Sequence, residues 1–134
     1  MVKLIKVTCA IILDSGKVFC AQRSEKMDLP LKWELPGGKI EEKESAEECL
    51  KREIMEELNI EIEVMESFES NFHQYDPTKK IELIPFLCCF KKGNIILKEH
   101  KTFCWRELEN LAELDWAEAD IPIIQNFLQW YSQK

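Results

Sequence analysis

The sequence GKIEEKESAEECLKREIMEELNI, residues 38–60, decides the fold because it carries the strongest helix signal in the chain. Ser45 begins a capping box, Ser-x-x-Glu, which predicts a helix with Ser45 as N-cap and Ala46 as its first residue. The helix is expected to end at about Leu58, and Asn59 is expected to take the left-handed conformation common just after helices. This segment therefore places its many glutamates on a regular helical surface.

Three of these glutamates share one face of the predicted helix. With successive residues about 100° apart, Glu57 falls inside the apolar stripe, Glu53 lies beside it, and Glu56 lies a little further round. The stripe consists of Ala46, Leu50, Ile54 and Leu58. A solvated acidic face with Arg52 and Lys51 in salt bridges is one interpretation. It does not explain a glutamate on the apolar side, where a carboxylate must be paired or bound to a metal.

A bound divalent cation is the second interpretation of this helix. Arg52 alone cannot neutralise three carboxylates, and like charges three or four positions apart repel one another. Ligands that are all oxygens suit Mg²⁺ or Mn²⁺. Gly37 and Gly38, just before the helix, allow the backbone to approach a ligand closely, although a glycine pair alone usually marks only a turn.

The remaining patterns predict an α/β fold with a mixed sheet between helices. Strands are expected at 3–13, 17–22, 60–64 with an irregular continuation to 75, 81–90, 95–97 and 102–106. A second helix is expected over 121–130, with Asp120 as its N-cap and Pro122 in its first turn. Its apolar face consists of Ile121, Ile124 and Leu128, with Phe127 on the flank.

Length and composition restrict the class of protein. With 134 residues, no repeat and no linker-like segment, the chain is expected to form a single domain over 1–134. The net charge of −7 argues against a nucleic-acid-binding protein, which would need a basic surface. No apolar stretch approaches the roughly 20 residues that a membrane span needs.

The six cysteines contain no CxxC pair, which argues against a zinc site and favours a reducing, cytoplasmic location. Four lie in apolar runs and are expected to be buried: Cys9, Cys20, Cys88 and Cys89. The apolar run at 7–13 superficially resembles a signal peptide. The turn at 14–16 and the second apolar run that follows favour a strand and hairpin instead.

Nine positions of residues 38–60 together resemble the Nudix box, G-x5-E-x7-R-E-U-x-E-E-x-G-U, where U is aliphatic. These positions are Gly38, Glu44, Arg52, Glu53, Ile54, Glu56, Glu57, Asn59 and Ile60. Only Asn59 departs, since the family has Gly there, and Asn is the next-best residue for a left-handed position. Residues 21–23, 33–41, 99–100 and 119–122 resemble the MutT-like branch, and most nearly its CTP pyrophosphohydrolase-like subgroup. The resemblance implies the Nudix α/β/α sandwich.

The resemblance also implies a metal centre that holds Mg²⁺, with Mn²⁺ as a substitute. The ligands it implies are the Gly37 carbonyl, Glu53, Glu56, Glu57 and Glu99. Glu53 or Glu99 is expected to act as general base, and an exposed loop glutamate without a role is the alternative for Glu99. Arg52 is expected to orient the glutamates, with support from Glu44.

Three further residues correspond to substrate contacts in the family. Arg23 and Lys39 match positions that contact phosphates, although an ordinary surface charge is the alternative for each. Asp120 matches a position that reads the base, and the helix cap expected there is compatible with that role.

The resemblance implies Mg²⁺-dependent hydrolysis of a (deoxy)nucleoside triphosphate to the monophosphate and pyrophosphate. CTP- or dCTP-like pyrimidine nucleotides are the candidate substrates. Three alternatives stay open: an 8-oxo-dGTP-type enzyme, a hydrolase of nucleotide sugars or dinucleotide polyphosphates, and a non-catalytic nucleotide sensor. The intact glutamate set argues against the sensor. The expected partner is a small nucleotide, with no nucleic acid and no membrane, and the protein is expected to be a monomer or homodimer.

Overall fold

A computed structural model describes residues 2–134 and contains one mixed sheet with a helix on each face. The strands are β1 (Lys3–Asp14), β2 (Lys17–Gln22), β3 (Trp33–Glu34), β4 (Gly37–Lys39), β5 (Ile60–Ser67), β6 (Asn71–Asp76), β7 (Lys79–Gly93) and β8 (Thr102–Glu107). The helices are α1 (Ala46–Leu58) and α2 (Ile121–Ser132), and short 3₁₀ turns cover Leu108–Glu113 and Glu118–Asp120. The predicted α/β class is confirmed.

The centre of the sheet is the long parallel pair of β1 and β7, which is in register from Lys3 opposite Lys79 to Leu13 opposite Cys89. All other ladder pairs are antiparallel, and the main strand order is β3-β2-β1-β7-β5. In addition, β4 pairs with β1, β6 pairs with β7, and β8 pairs with β2. The glycine pair is thus part of a strand, with Gly38 opposite Thr8 on β1.

Two cores form because β1 is buried on both faces and its side chains alternate between them. Cys9 and Ile11 pack on the side of α2, together with Phe127. Ala10 and Ile12 pack on the side of α1. On that side α1 contributes Leu50, Ile54 and Leu58, all fully buried. This arrangement is the predicted α/β/α sandwich.

Helix α1 has the bounds and caps that its sequence predicts. The Ser45 hydroxyl accepts from the Glu48 N–H at 3.1 Å, and the Glu48 carboxylate accepts from the Ser45 N–H at 2.8 Å. At the other end Asn59 is left-handed, with φ 61° and ψ 34°, and its N–H donates to the Met55 carbonyl at 3.0 Å. Local sequence therefore sets both ends of the helix.

The prediction of a strand at 95–97 is wrong. Residues 94–97 follow β7 without joining the sheet, and they lie across the C-terminal end of α1. There the N–H of Ile96 donates to the Leu58 carbonyl at 3.0 Å, and the N–H of Lys98 donates to the Glu57 carbonyl at 3.2 Å. The last carbonyls of a helix lack hydrogen-bond partners within the helix. The backbone N–H groups of Ile96 and Lys98 bond to two of these carbonyls rather than to a neighbouring strand.

Asp120 lies at the N-cap position of α2, as predicted, but its side chain does not cap the helix. Its backbone is already helical, since a 3₁₀ turn leads directly into α2, and its side chain makes no cap hydrogen bond. The Asp120 carboxylate instead accepts from the N–H of Leu35 at 2.8 Å. The side chain thus ties the start of α2 to the segment between β3 and β4.

Smaller differences concern which side chains are buried. The inward face of α2 consists of Ile123, Ile124 and Phe127, while Ile121 is 38% exposed.

Residues 60–75 form two strands rather than one irregular strand, with a break between β5 and β6. Cys9, Cys20 and Cys88 are buried as expected, but Cys89 is only partly buried, and all six cysteines are free thiols. No helix within residues 2–134 is long and apolar enough to span a bilayer.

Candidate active site

A cleft of about 570 Å³ opens between β1, β4, the end of β6 and the segment that precedes α2. Its walls include six of the residues that the sequence predicts for the site: Arg23, Gly37, Lys39, Glu57, Glu99 and Asp120. The other predicted residues, Glu44, Arg52, Glu53 and Glu56, lie behind the glycine pair in an ion-pair cluster around Arg52. The structure therefore divides the predicted residues between a cleft and a supporting cluster.

Arg52 is the centre of that cluster and uses all three guanidinium nitrogens. Its Nε and Nη2 donate to the two oxygens of Glu44 at 3.1 and 2.8 Å. Its Nη1 donates to Glu53 at 3.0 Å and to Glu56 at 3.2 Å. The bidentate bond from Arg52, and a backbone N–H from Glu41, lower the pKa of Glu44 to about 2. The cluster fixes the orientation of Glu53 and Glu56, as expected for a bidentate arginine contact.

The glycine pair is required because its backbone touches both β1 and α1. A Cβ at Gly38 would lie 2.2 Å from Oε2 of Glu53, so only glycine leaves room for that carboxylate. At Gly37, φ is 157° and a Cβ would lie 2.0 Å from the Thr8 carbonyl oxygen. Glu53 therefore lies directly against the strand that lines the cleft.

Glu57 is half-buried, and one of its carboxylate oxygens is buried without a partner. Within residues 2–134, no group forms a hydrogen bond with its Oε1. Burial, and next the negative charge of Glu53, raise the pKa of Glu57 to about 9, with smaller contributions from Glu34 and Glu99. An unpartnered carboxylate oxygen among other carboxylates is the kind of donor set that suits Mg²⁺.

Within residues 2–134, however, no three His, Cys, Asp or Glu side chains already surround a common point. Glu53 and Glu56 face Arg52 instead. Glu99 is exposed at the cleft rim, and its charge reaches Glu57. The donor types fit a hard divalent cation, and the assignment of individual ligands stays a prediction.

A buried polar group that the sequence did not predict lies deeper in the cleft, around Glu34. The Arg23 Nη1 donates to Glu34 Oε1 at 2.7 Å, and the His100 Nε2 lies 2.7 Å from Glu34 Oε2. The side chain of His100 is only 2% exposed, and its Nδ1 has no partner. Hydrogen bonds from His100 and the charge of Arg23 outweigh burial and lower the pKa of Glu34. The available signal was the apolar strand context of Glu34, between Trp33 and Leu35.

Asp120 lines the same cleft but is almost fully buried, at 7% exposure. One carboxylate oxygen is taken by the N–H of Leu35, which leaves the other without a backbone partner. Burial raises the pKa of Asp120 to about 7, against the lowering effect of the Leu35 bond. Lys39, in contrast, is exposed at the cleft rim.

A cleft that leads to an unpartnered carboxylate oxygen on a glutamate-rich helix suits a hydrolase that acts on phosphorylated small molecules with a divalent cation. The chain belongs to the NUDIX family, whose domain matches residues 3–127. It is a Nudix hydrolase, and members of this family generally use divalent metals such as Mg²⁺ and act on small nucleotides. The family resemblance seen in the sequence is thereby confirmed.

Similar proteins cover nearly the whole chain. A CTP pyrophosphohydrolase of Escherichia coli (strain K12) is 36% identical over 127 residues, which are 94% of this chain and 93% of that protein. An 8-oxo-dGTP diphosphatase of Buchnera aphidicola subsp. Acyrthosiphon pisum is 34% identical over 84% of this chain and 88% of that protein. The solution structure of a MutT protein from methicillin-resistant Staphylococcus aureus 252 is 41% identical, with a TM-score of 0.77, and covers 96% of this chain and 98% of that chain.

Proposed function

We propose that this chain is a Mg²⁺-dependent pyrophosphohydrolase that converts a (deoxy)nucleoside triphosphate to the monophosphate and pyrophosphate. The observation that carries the proposal is the buried, unpartnered Oε1 of Glu57 in the cleft wall, on a carboxylate that lies beside Glu53. A buried carboxylate without a partner destabilises a protein unless a ligand uses it. Similarity to named pyrophosphohydrolases and diphosphatases supports the nucleotide as that ligand.

The residues proposed to hold Mg²⁺ are Glu53, Glu56, Glu57, the Gly37 carbonyl and Glu99. A bound Mg²⁺ would offset the charge of the phosphates and lower the pKa of an attacking water. Glu53 or Glu99 accepts the proton from that water as it attacks a bridging diphosphate. Arg52, supported by Glu44, holds the glutamates in place through the bonds described above.

Arg23 and Lys39 are proposed to bind the phosphates. The Nε of Arg23 donates to the Asp28 carbonyl and its Nη1 donates to Glu34, so its Nη2 is left to face a ligand. These two bonds fix the guanidinium at the cleft wall, and a fixed arginine suits the recognition of phosphate oxygens. Lys39 supplies a second, more mobile positive charge at the exposed rim.

Asp120 is proposed to read the base and to favour cytosine. When Asp120 is ionised, the carboxylate oxygen that Leu35 does not use accepts a hydrogen bond, so it pairs with the exocyclic amino group of cytosine and repels the carbonyl of uracil. The similarity to a CTP pyrophosphohydrolase supports this choice. Oxidised dGTP is the second candidate because it also offers donors, and because another relative is named an 8-oxo-dGTP diphosphatase.

Product analysis on a nucleotide panel tests the proposal. CTP, dCTP, UTP, 8-oxo-dGTP, a nucleotide sugar and a dinucleotide polyphosphate are incubated with Mg²⁺, and the products are separated by ion-exchange chromatography. We expect CMP or dCMP with pyrophosphate from the cytidine substrates. Release of the diphosphate and orthophosphate would contradict the cleavage position, and hydrolysis of only the last two substrates would contradict the substrate class.

The proposed location is a reducing, cytoplasmic compartment, and the support for it is six thiols with no disulfide. A monomer or homodimer is proposed for the assembly. Light scattering coupled to size-exclusion chromatography would distinguish the two states.

A further inference from the structure

Residues 94–99, here called the strap, follow β7 and place Glu99 at the cleft. Two backbone N–H groups of the strap, from Ile96 and Lys98, donate to the carbonyls of Leu58 and Glu57 at the end of α1. Glu57 thus accepts a strap N–H with its carbonyl while its carboxylate lines the cleft. The position of Glu99 relative to Glu57 therefore depends on how the strap lies on the helix end.

Asn59 forms a third contact between the helix end and the strap. Its side-chain Nδ2 donates to the Asn94 carbonyl at 3.2 Å. The backbone of the two segments is also close, since a Cβ at Gly93 would lie 2.8 Å from the Asn59 carbonyl oxygen. Asn59 therefore fixes the first residue of the strap, while Ile96 and Lys98 fix its middle.

Asn59 occupies the one position at which this chain departs from the family pattern. Its left-handed conformation, φ 61° and ψ 34°, is one that glycine adopts without cost. The helix end alone would therefore be served equally well or better by glycine. Only the side-chain amide adds something that glycine lacks, and that amide is bonded to the strap.

We propose that Asn59 is a positioning residue for Glu99, because its amide anchors the strap to the end of α1. The inference rests on the proposed function, in which Glu99 is a metal ligand or general base. It assigns to the Asn59 side chain a role that a helix C-cap does not need. The strap joins Asn59 at one end to Glu99 at the other through three hydrogen bonds to a rigid helix.

A pair of matched variants separates the amide from the backbone conformation. Asn59→Gly keeps the left-handed residue and removes the amide, and Asn59→Asp keeps the shape but cannot donate to a carbonyl. Amide hydrogen exchange reports the strap directly, and we expect faster exchange at Ile96 and Lys98 in both variants. We expect kcat to fall about 3- to 10-fold with KM nearly unchanged, the size expected for one lost hydrogen bond.

A double-mutant cycle with Glu99→Gln identifies the route of the effect. If Asn59 acts through Glu99, Asn59→Gly should cause little further loss in the Glu99→Gln background. Independent, multiplicative losses would overturn the proposal, as would wild-type exchange and kcat in Asn59→Gly. A wild-type protein inactive on every nucleotide would contradict the proposed function instead, while exchange at residues 96–99 would still decide whether Asn59 holds the strap.

Discussion

The carboxylates near the glycine pair fall into two groups with opposite electrostatic surroundings. Glu44, Glu53 and Glu56 share the guanidinium of Arg52, and the pKa of Glu44 is lowered to about 2. Glu57 and Asp120 line the cleft, where burial raises their pKa values to about 9 and about 7. The first group is paired with a guanidinium, whereas in the second group Asp120 accepts one backbone hydrogen bond and the Oε1 of Glu57 accepts none within residues 2–134. A bound cation or ligand is therefore expected to form its most favourable new interactions with Glu57 and Asp120.

Helix geometry explains the division. Arg52 reaches Glu53 beside it and Glu56 one turn on, but Glu57 lies five positions on, about 140° further round the helix. Within residues 2–134, no donor forms a hydrogen bond with the Glu57 Oε1. Glu56 and Glu57 are adjacent on α1, yet Glu56 is paired with Arg52 and Glu57 faces the cleft.

The largest expected effect comes from replacing two of the carboxylates proposed to bind Mg²⁺ with amides. We expect Glu57→Gln and Glu53→Gln to lower kcat about 10²- to 10⁴-fold while the protein stays folded. Steady-state kinetics with Mg²⁺ and a circular dichroism spectrum would measure both properties. Glu47→Gln, an exposed glutamate on the same helix, is the matched control and should keep near wild-type turnover. Near-normal turnover in both site variants would remove them from the mechanism.

The second prediction is that Mg²⁺ stabilises the protein through the unsatisfied group. A cation that binds only the folded state adds about 2.7 kcal/mol at 100 times its Kd, so Tm should rise with Mg²⁺ concentration. Differential scanning calorimetry should show a much smaller rise in Glu57→Gln, and EDTA should abolish activity. Activity that survives exhaustive chelation would contradict the role of the metal.

Sequence was sufficient where neighbouring residues decide the structure. The bounds of α1, its capping box and the left-handed Asn59 all follow from interactions within a few positions. Sequence failed where distant partners compete with a local pattern. Asp120 has the sequence of a helix cap, but its carboxylate bonds to Leu35, 85 positions away. Residues 95–97 likewise have the sequence of a strand, but the N–H of Ile96 bonds to the Leu58 carbonyl at the end of α1.

The same limit applies to the site. The glutamates proposed as metal ligands on α1 and the glycine pair could be recognised from their spacing in the sequence, because they lie on a single helix and in the segment just before it. The group formed by Arg23, Glu34 and His100 could not be predicted, since Glu34 and His100 are 66 positions apart and only the tertiary fold brings them together. The burial of Asp120 is also a property of the folded cleft.

The third prediction concerns Asp120, the other buried carboxylate. In Asp120→Asn the amide oxygen can still accept from the Leu35 N–H, and the amide nitrogen then faces the cleft as a donor. We expect the kcat/KM ratio of dCTP over UTP to fall about tenfold with little loss of stability, since one base contact is worth about 1–3 kcal/mol. An unchanged ranking of CTP, dCTP, UTP and 8-oxo-dGTP would show that other residues select the base.

The smallest expected effect is a difference in pH dependence between the two groups in the metal-free protein. The unfolded-state pKa of glutamate is about 4.3. Because the folded-state pKa of Glu57 is raised to about 9, the folded protein holds a proton there that the unfolded chain has lost. Its stability should therefore fall as the pH rises between these two values. Glu44 has a lowered pKa of about 2, so the stability it provides should be lost as the pH falls below about 4.3.

Melting curves of Glu57→Gln and Glu44→Gln in EDTA measure this contrast. A neutral amide cannot lose a proton, so Glu57→Gln should nearly match the wild type at about pH 5 and should exceed its Tm near pH 9. Glu44→Gln should melt below the wild type at neutral pH, and the deficit should shrink as the pH falls from about 4.3 towards about 2, where the wild type loses the same ion pair. Parallel pH profiles for the two variants would mean that Glu57 and Glu44 have similar surroundings in solution. The two variants should instead diverge with opposite slopes, because burial acts on one carboxylate and a guanidinium acts on the other.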